Sequence, residues 1–125
     1  MENRTDIFQL VKNPQLSDRE KLINVLLELG ITTNVKGFSY IQVAIEYITK
    51  SQEKPRMQDV YLAVAKQFNN IPSSRIERAI RHAVGRGIQK GDAKLWYQIF
   101  KIDTNRKPTN CEFLSRLILL LQEGI

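Results

Sequence analysis

Three arginines along one stretch, Arg75, Arg78 and Arg81, are the side chains of this sequence best suited to a recognisable chemistry. A guanidinium is a rigid planar donor that can give two hydrogen bonds to O6 and N7 of a guanine. One such pair is worth about 1–3 kcal/mol of base discrimination. Read at 100° per residue, Ile76, Ala79, Ile80, Ala83 and Val84 form the apolar stripe of a helix docked on a core. Arg78, Arg81 and His82 fall on the opposite face, flanked by Arg75 and Arg86. Residues 71–90 hold five Lys or Arg against the single acid Glu77, so +4 of the chain's formal net charge of +6 sits in this window. A merely solvated helix face interleaves its signs to gain i,i+4 pairs. This one is suited to meeting an anionic partner. Glu77 has two competing uses: closing a capping box with Ser74, or accepting from a cytosine amino group.

The elements that must position these side chains follow from the flanking sequence. Residues 57–68 form a second amphipathic segment, with Val60, Ala63, Val64 and Phe68 on its apolar side. The link is Asn69-Asn70-Ile71-Pro72, in which Asn tolerates the left-handed conformation that ends a helix and Pro cannot continue one. A helix, a short turn with an apolar plug at Ile71, and then a basic helix is the layout of a helix-turn-helix, whose second helix enters the DNA major groove. Gly85, Gly87 and Gly91 each cost about 1 kcal/mol relative to Ala inside a helix. The expected recognition helix is therefore 73–85, ending between Gly85 and Lys90.

The remainder reads as support. Residues 1–16 are expected to be a short flexible lead-in with one helical turn near 7–11, and residues 17–125 the domain. Ser17 and Glu20 make a capping box before a helix with Leu22, Ile23, Leu26, Leu27 and Leu29 on its buried face and Gly30 as its stop. Gly37 precedes a helix to about Lys50, carrying Phe38, Ile41, Ala44, Ile45 and Ile48. Residues 92–100 form a short helix in which Trp96 and Tyr97 read as buried anchors rather than as a stacking platform for single strands. A basic loop, 101–107, leads to a capping box of Thr109 and Glu112 and a last helix with Phe113, Leu114, Leu117, Ile118 and Leu121. No segment shows strand alternation, so the expected class is all-α, with six helices around one core.

Composition bounds the function. Hydrophobic content of 42% and charged content of 26% are ordinary for a globular chain of 125 residues. A sequence pI near 9.6 favours nucleic acid as partner. The single cysteine, Cys111, excludes an internal disulfide and fits a reducing compartment. The longest apolar run, 117–121, is far short of a membrane span, and the N-terminus lacks the apolar stretch of a signal peptide, so a cytoplasmic protein is expected. One His and one Cys make no zinc site; there is no Ser/His/Asp or Cys/His arrangement and no phosphate-binding glycine loop. The expectation is no enzyme, no metal and no cofactor.

Three ordered stretches carry a family resemblance. Residues 35–45 (VKGFSYIQVAI) resemble a KGYxYLREAI segment, 73–83 (SSRIERAIRHA) are similar to a SRVERAIRHA recognition helix, and 107–113 (KPTNCEF) look like a KPTNSEF helix start. The family is the C-terminal DNA-binding effector domain of the stage-zero sporulation response regulator, and the resemblance runs from about Leu22 to Leu121. It implies a six-helix domain that binds a short operator box in double-stranded DNA, often as tandem copies. By this resemblance Arg75, Glu77, Arg78 and Arg81 match base-reading positions. Ser73, His82 and Lys107 match backbone contacts. Ser74, Arg86, Lys36 and Lys66 complete the expected phosphate set. A homodimer on DNA, RNA polymerase or a full-length regulator are the further partners the resemblance admits. Polar residues stand here where the parent regulator carries its phosphoacceptor receiver domain, so its usual phosphorylation control is expected to be absent. Two rival expectations remain: a receiver-less module that pairs with or antagonises a full-length regulator, and a non-specific nucleic-acid binder.

Overall fold

The structure, a computed structural model, describes residues 6–102 and 106–124. The described residues form seven α-helices and no strand: α1 (Ile7–Leu10), α2 (Asp18–Glu28), α3 (Lys36–Lys50), α4 (Met57–Gln67), α5 (Ser73–Lys90), α6 (Ala93–Phe100) and α7 (Asn110–Glu123). The all-α class stands, with one helix more than the sequence suggests. The extra element is α1. Asp6 caps it by accepting from the Phe8 amide, and Ile7 and Val11 are buried where α1 packs on α2. Part of the segment expected to be a flexible lead-in, residues 7–11, thus packs on the core, while residues 12–15 are exposed. The parts of that lead-in and of the 101–107 loop that fall on 1–5 and 103–105 lie outside the described residues.

Helix α3 is the hub, packed on α2, α4, α5 and α7. It begins almost in backbone contact with α5. A Cβ added at Gly37 would lie 2.6 Å from the carbonyl oxygen of Ala79 and 2.6 Å from the Cβ of Ala83. Ile41 and Ala44 of α3 and Ile76, Ile80 and Ala83 of α5 have no solvent exposure. The helix-turn-helix forms as the sequence indicates. Asn69 and Asn70 are left-handed at φ 61° and 55°, and the Asn70 amide donates to the Ala65 carbonyl at 2.9 Å to close α4.

Helix α5 does not end at Gly85; it runs unbroken to Lys90, so the expected 73–85 is too short. The reason is packing. A Cβ at Gly87 would lie 2.7 Å from Cζ2 of Trp96, 2.8 Å from the Leu29 carbonyl oxygen and 2.9 Å from Cγ1 of Ile31. The indole Nε1 of Trp96 donates to the Leu29 carbonyl at 3.0 Å and to the Gly87 carbonyl at 3.1 Å. Glycine is therefore the residue that lets α5 approach α6 and the end of α2, and this contact outweighs its low helix propensity.

The capping boxes at Ser17/Glu20 and Thr109/Glu112 are both present. The one at Ser74/Glu77 is not. The N-cap is Pro72 and the helix starts at Ser73, which puts Glu77 too far along to reach back. Two apolar assignments also change. Leu27 is exposed while Val25 is buried, and Tyr97 is 57% exposed beside Trp96 at 3%. In α6 the inward stripe is Leu95, Trp96, Ile99 and Phe100, and Tyr97 points off it. Trp96, Phe100 and Phe113 form one aromatic stack, with ring centroids 4.8–5.8 Å apart.

The two glycines should therefore respond oppositely to alanine. At Gly85 the nearest atoms to an added Cβ belong to the flexible Lys107 side chain, at 3.5 and 3.8 Å. Gly85→Ala is expected to raise stability by about 0.5–1 kcal/mol, whereas Gly87→Ala should lower it by about 1–3 kcal/mol through overpacking. Urea midpoints at constant slope measure both. Equal shifts in the two variants would contradict the packing argument.

Candidate nucleic-acid interface

The stripe that buries α5 leaves its other side open. Arg75, Arg78, Arg81 and His82 are exposed, Arg86 is half-buried along the same helix, and Ser74 is exposed in the first turn. Glu77 and Arg81 are one turn apart and paired, with Nη1 of Arg81 donating to Oε2 of Glu77 at 2.6 Å. Glu77 thus pairs forward along the helix rather than back to its start. A carboxylate has about four acceptor positions, so this one retains capacity for a further donor. Ser73 accepts a hydrogen bond from the Gln58 amide at 3.3 Å, which ties the start of α5 to the start of α4.

Two further cations are carried to α5 by neighbouring elements. Lys36 is the first residue of α3, next to the Gly37 that abuts Ala79 and Ala83. Val35 at the N-cap supplies no side-chain cap, and the Phe38 amide donates to the Val35 carbonyl at 3.1 Å instead. Lys107 lies over α5 from the other side, its ammonium 3.5 Å from where a Gly85 Cβ would be. Lys66 is not brought to this group in the same way. It stands exposed in the last turn of α4, about 12 Å along that helix from the Gln58–Ser73 contact.

Asn110 is a residue of this region that sequence reasoning passed over. It is 8% exposed, and its side-chain nitrogen donates at 3.0 Å to the hydroxyl of Tyr61 and at 3.0 Å to the backbone carbonyl of Glu77. It thereby joins the start of α7 to α4 and α5. Burial pushes the Tyr61 phenol up, and the Asn110 hydrogen bond pulls it in the opposite sense. The signal was faint: an Asn directly after Thr109, where the cap is already made and Asn adds nothing local.

The approach to α7 is charged and ordered. Arg106 grips Glu112 through two hydrogen bonds of 3.1 Å each, and Glu112 also accepts from the Thr109 amide at 2.8 Å. The Arg106 bonds chiefly, with the Thr109 amide next, hold the Glu112 carboxyl down at about 2. Among the described residues no three His, Cys, Asp or Glu side chains are placed to hold a metal ion, and no helix is long and apolar enough to cross a membrane. A wide groove between α2, α3 and the end of α7 includes no residue of α5. A family model described as sporulation initiation factor Spo0A C terminal matches residues 22–121.

The Glu112 arrangement fixes the sign of one pH effect. Its folded pKa lies below the unfolded value of about 4.3, so its stabilisation is fully present above that value and is lost as pH falls towards 2. An NMR titration of the Glu112 carboxyl carbon should show a midpoint well below that of an unfolded peptide. In Arg106→Ala it should move up towards the ordinary range. A normal midpoint in the unaltered chain would contradict the assignment.

Proposed function

The chain belongs to the family of the sporulation initiation factor Spo0A C terminal, and from that premise we propose that it is a sequence-specific regulator of transcription that reads double-stranded DNA in the major groove with the first part of α5. The observation that carries this reading is the division of α5. Ile76, Ile80, Ala83 and Val84 are sealed into the core while Arg75, Arg78 and Arg81 face solvent, with Lys107 lying over the same helix at Gly85. A B-form major groove admits one α-helix, and its base edges offer the acceptors that guanidinium groups need.

The division of labour follows from reach and geometry. Arg75, Arg78 and Arg81 donate to base edges, and Glu77, already oriented by Arg81, accepts from a cytosine amino group. Ser73, Ser74, His82, Arg86, Lys36 and Lys107 hold phosphates. Helix α4 crosses the backbone above the groove. Lys66 has the least support as a phosphate contact, because α4 carries it away from the start of α5.

Fluorescence anisotropy tests the reading, using a duplex that the protein itself enriches from a randomised pool, a scrambled duplex and two salt concentrations. A preference of about 10³ or more for the enriched duplex is expected at physiological salt. Arg78→Ala and Arg81→Ala should each relax discrimination about tenfold at a single base pair. Lys107→Ala should weaken both duplexes alike and reduce the slope of log affinity against log salt by about 1. Equal binding to both duplexes would leave only a non-specific basic surface. Binding to neither would favour a protein-interaction module.

A further inference from the structure

We propose that Asn110 is a positioning residue for base readout: its side-chain amide pins the carbonyl of Glu77 and so sets the rotation and slide of the base-reading half of α5. This rests on the reading of α5 as the recognition helix. Most of what holds α5 is apolar and without direction. The Ile76–Ile80–Val84 stripe and the close approach of Gly37 to Ala79 and Ala83 fix which face is buried. These contacts limit how far α5 can move but give no direction to what latitude is left at its base-reading end. Directional bonds resist both rotation and slide.

Besides the exposed Gln58–Ser73 contact at its first residue, α5 receives side-chain donors on its backbone from Trp96 and Asn110 among the described residues. Trp96 donates to the carbonyl of Gly87 near the C-terminal end, and Asn110 donates to the carbonyl of Glu77 near the N-terminal end. The two acceptors are about 15 Å apart along the helix, and two points so separated define the axis and its register. Glu77 is inside the helix, so its carbonyl serves the α5 ladder with one lone pair and Asn110 with the other. The pinned residue is also the one whose side chain pairs with Arg81 at 2.6 Å. Asn110 itself cannot drift. It sits in the first turn of α7, behind the Thr109 cap, and its amide is also bonded to Tyr61 of α4. A bidentate contact to a guanine tolerates only small errors in distance and angle. A helix free to rotate would retain its charge on the phosphates and lose its aim at the bases.

The test uses the full chain and the variants Asn110→Asp, Arg81→Ala and Glu77→Ala, with selection from a randomised duplex pool followed by anisotropy on the enriched and scrambled duplexes. Asn110→Asp preserves size and suits the N-terminus of α7, but removes the donor and sets a carboxylate against the Glu77 carbonyl. Far-ultraviolet circular dichroism establishes that each variant is folded at the assay temperature. Discrimination by Asn110→Asp is expected to fall about tenfold at the same base pairs where Arg81→Ala or Glu77→Ala lose it. Affinity for the scrambled duplex and its salt slope should stay within twofold of the unaltered chain. Full retention of discrimination overturns the proposal, as does an equal loss on both duplexes, which marks a merely structural role. If the unaltered chain enriches no sequence, the reading of α5 itself fails and the proposal falls with it. Should Asn110→Asp not fold, Asn110→Ser, uncharged and with a shorter donor, is judged by the same criteria.

Discussion

Everything on the outer face of α5 depends on how closely its inner face is held. At Gly37 and at Gly87 the neighbouring elements come within a distance that a methyl group would not fit, and Ile76, Ile80, Ala83 and Val84 of the apolar stripe are buried. Apolar burial at about 25 cal/mol per Å² gives the helix its place. Backbone-close contacts then remove the latitude that larger side chains would leave. A helix seated this way can carry four arginines and one lysine with a single acid among them and still remain folded. The mutual repulsion of exposed charges is screened by solvent and salt, whereas the buried stripe is not subject to screening.

The same seating explains the roles of the outer elements. Helix α6 contributes Trp96, which bonds to the carbonyls of Leu29 and Gly87 and stacks with Phe100 and Phe113. The ends of α2 and α5 and the body of α7 are thereby locked together. Helix α7 is started by the Thr109–Glu112 box and delivers Asn110 to the other end of α5. The residues before it carry Lys107 across Gly85. Elements distant in sequence therefore converge on one helix, and each brings either a restraint or a positive charge. Sequence-specific binding needs both: charge for affinity, and restraint so that hydrogen-bond donors meet base edges.

Local signals in the sequence were reliable where the physics is local. The left-handed Asn69–Asn70 turn, the boxes at Ser17 and Thr109, and the apolar stripes of α3 and α5 could all be read from neighbouring residues. The misses share a long-range cause. Gly85 and Gly87 looked like a helix end because their cost is local, while the contact that Gly87 permits is with Leu29, Ile31 and Trp96. The Ser74–Glu77 spacing fits a capping box, but its register depends on where Pro72 ends the turn. Trp96 and Tyr97 are adjacent aromatics separated by 100° on one helix, and only one of them can face the core. Asn110 had no visible purpose until folding placed Tyr61 and Glu77 beside it.

The proposed reading puts α5 in the major groove with its arginines on guanine edges. Methylation protection reads this directly, because dimethyl sulfate attacks guanine N7 from the major groove. On a duplex enriched by the protein, specific guanine N7 positions should be protected, with individual protections lost in Arg78→Ala and Arg81→Ala. Tight binding that leaves every guanine N7 equally reactive would contradict it.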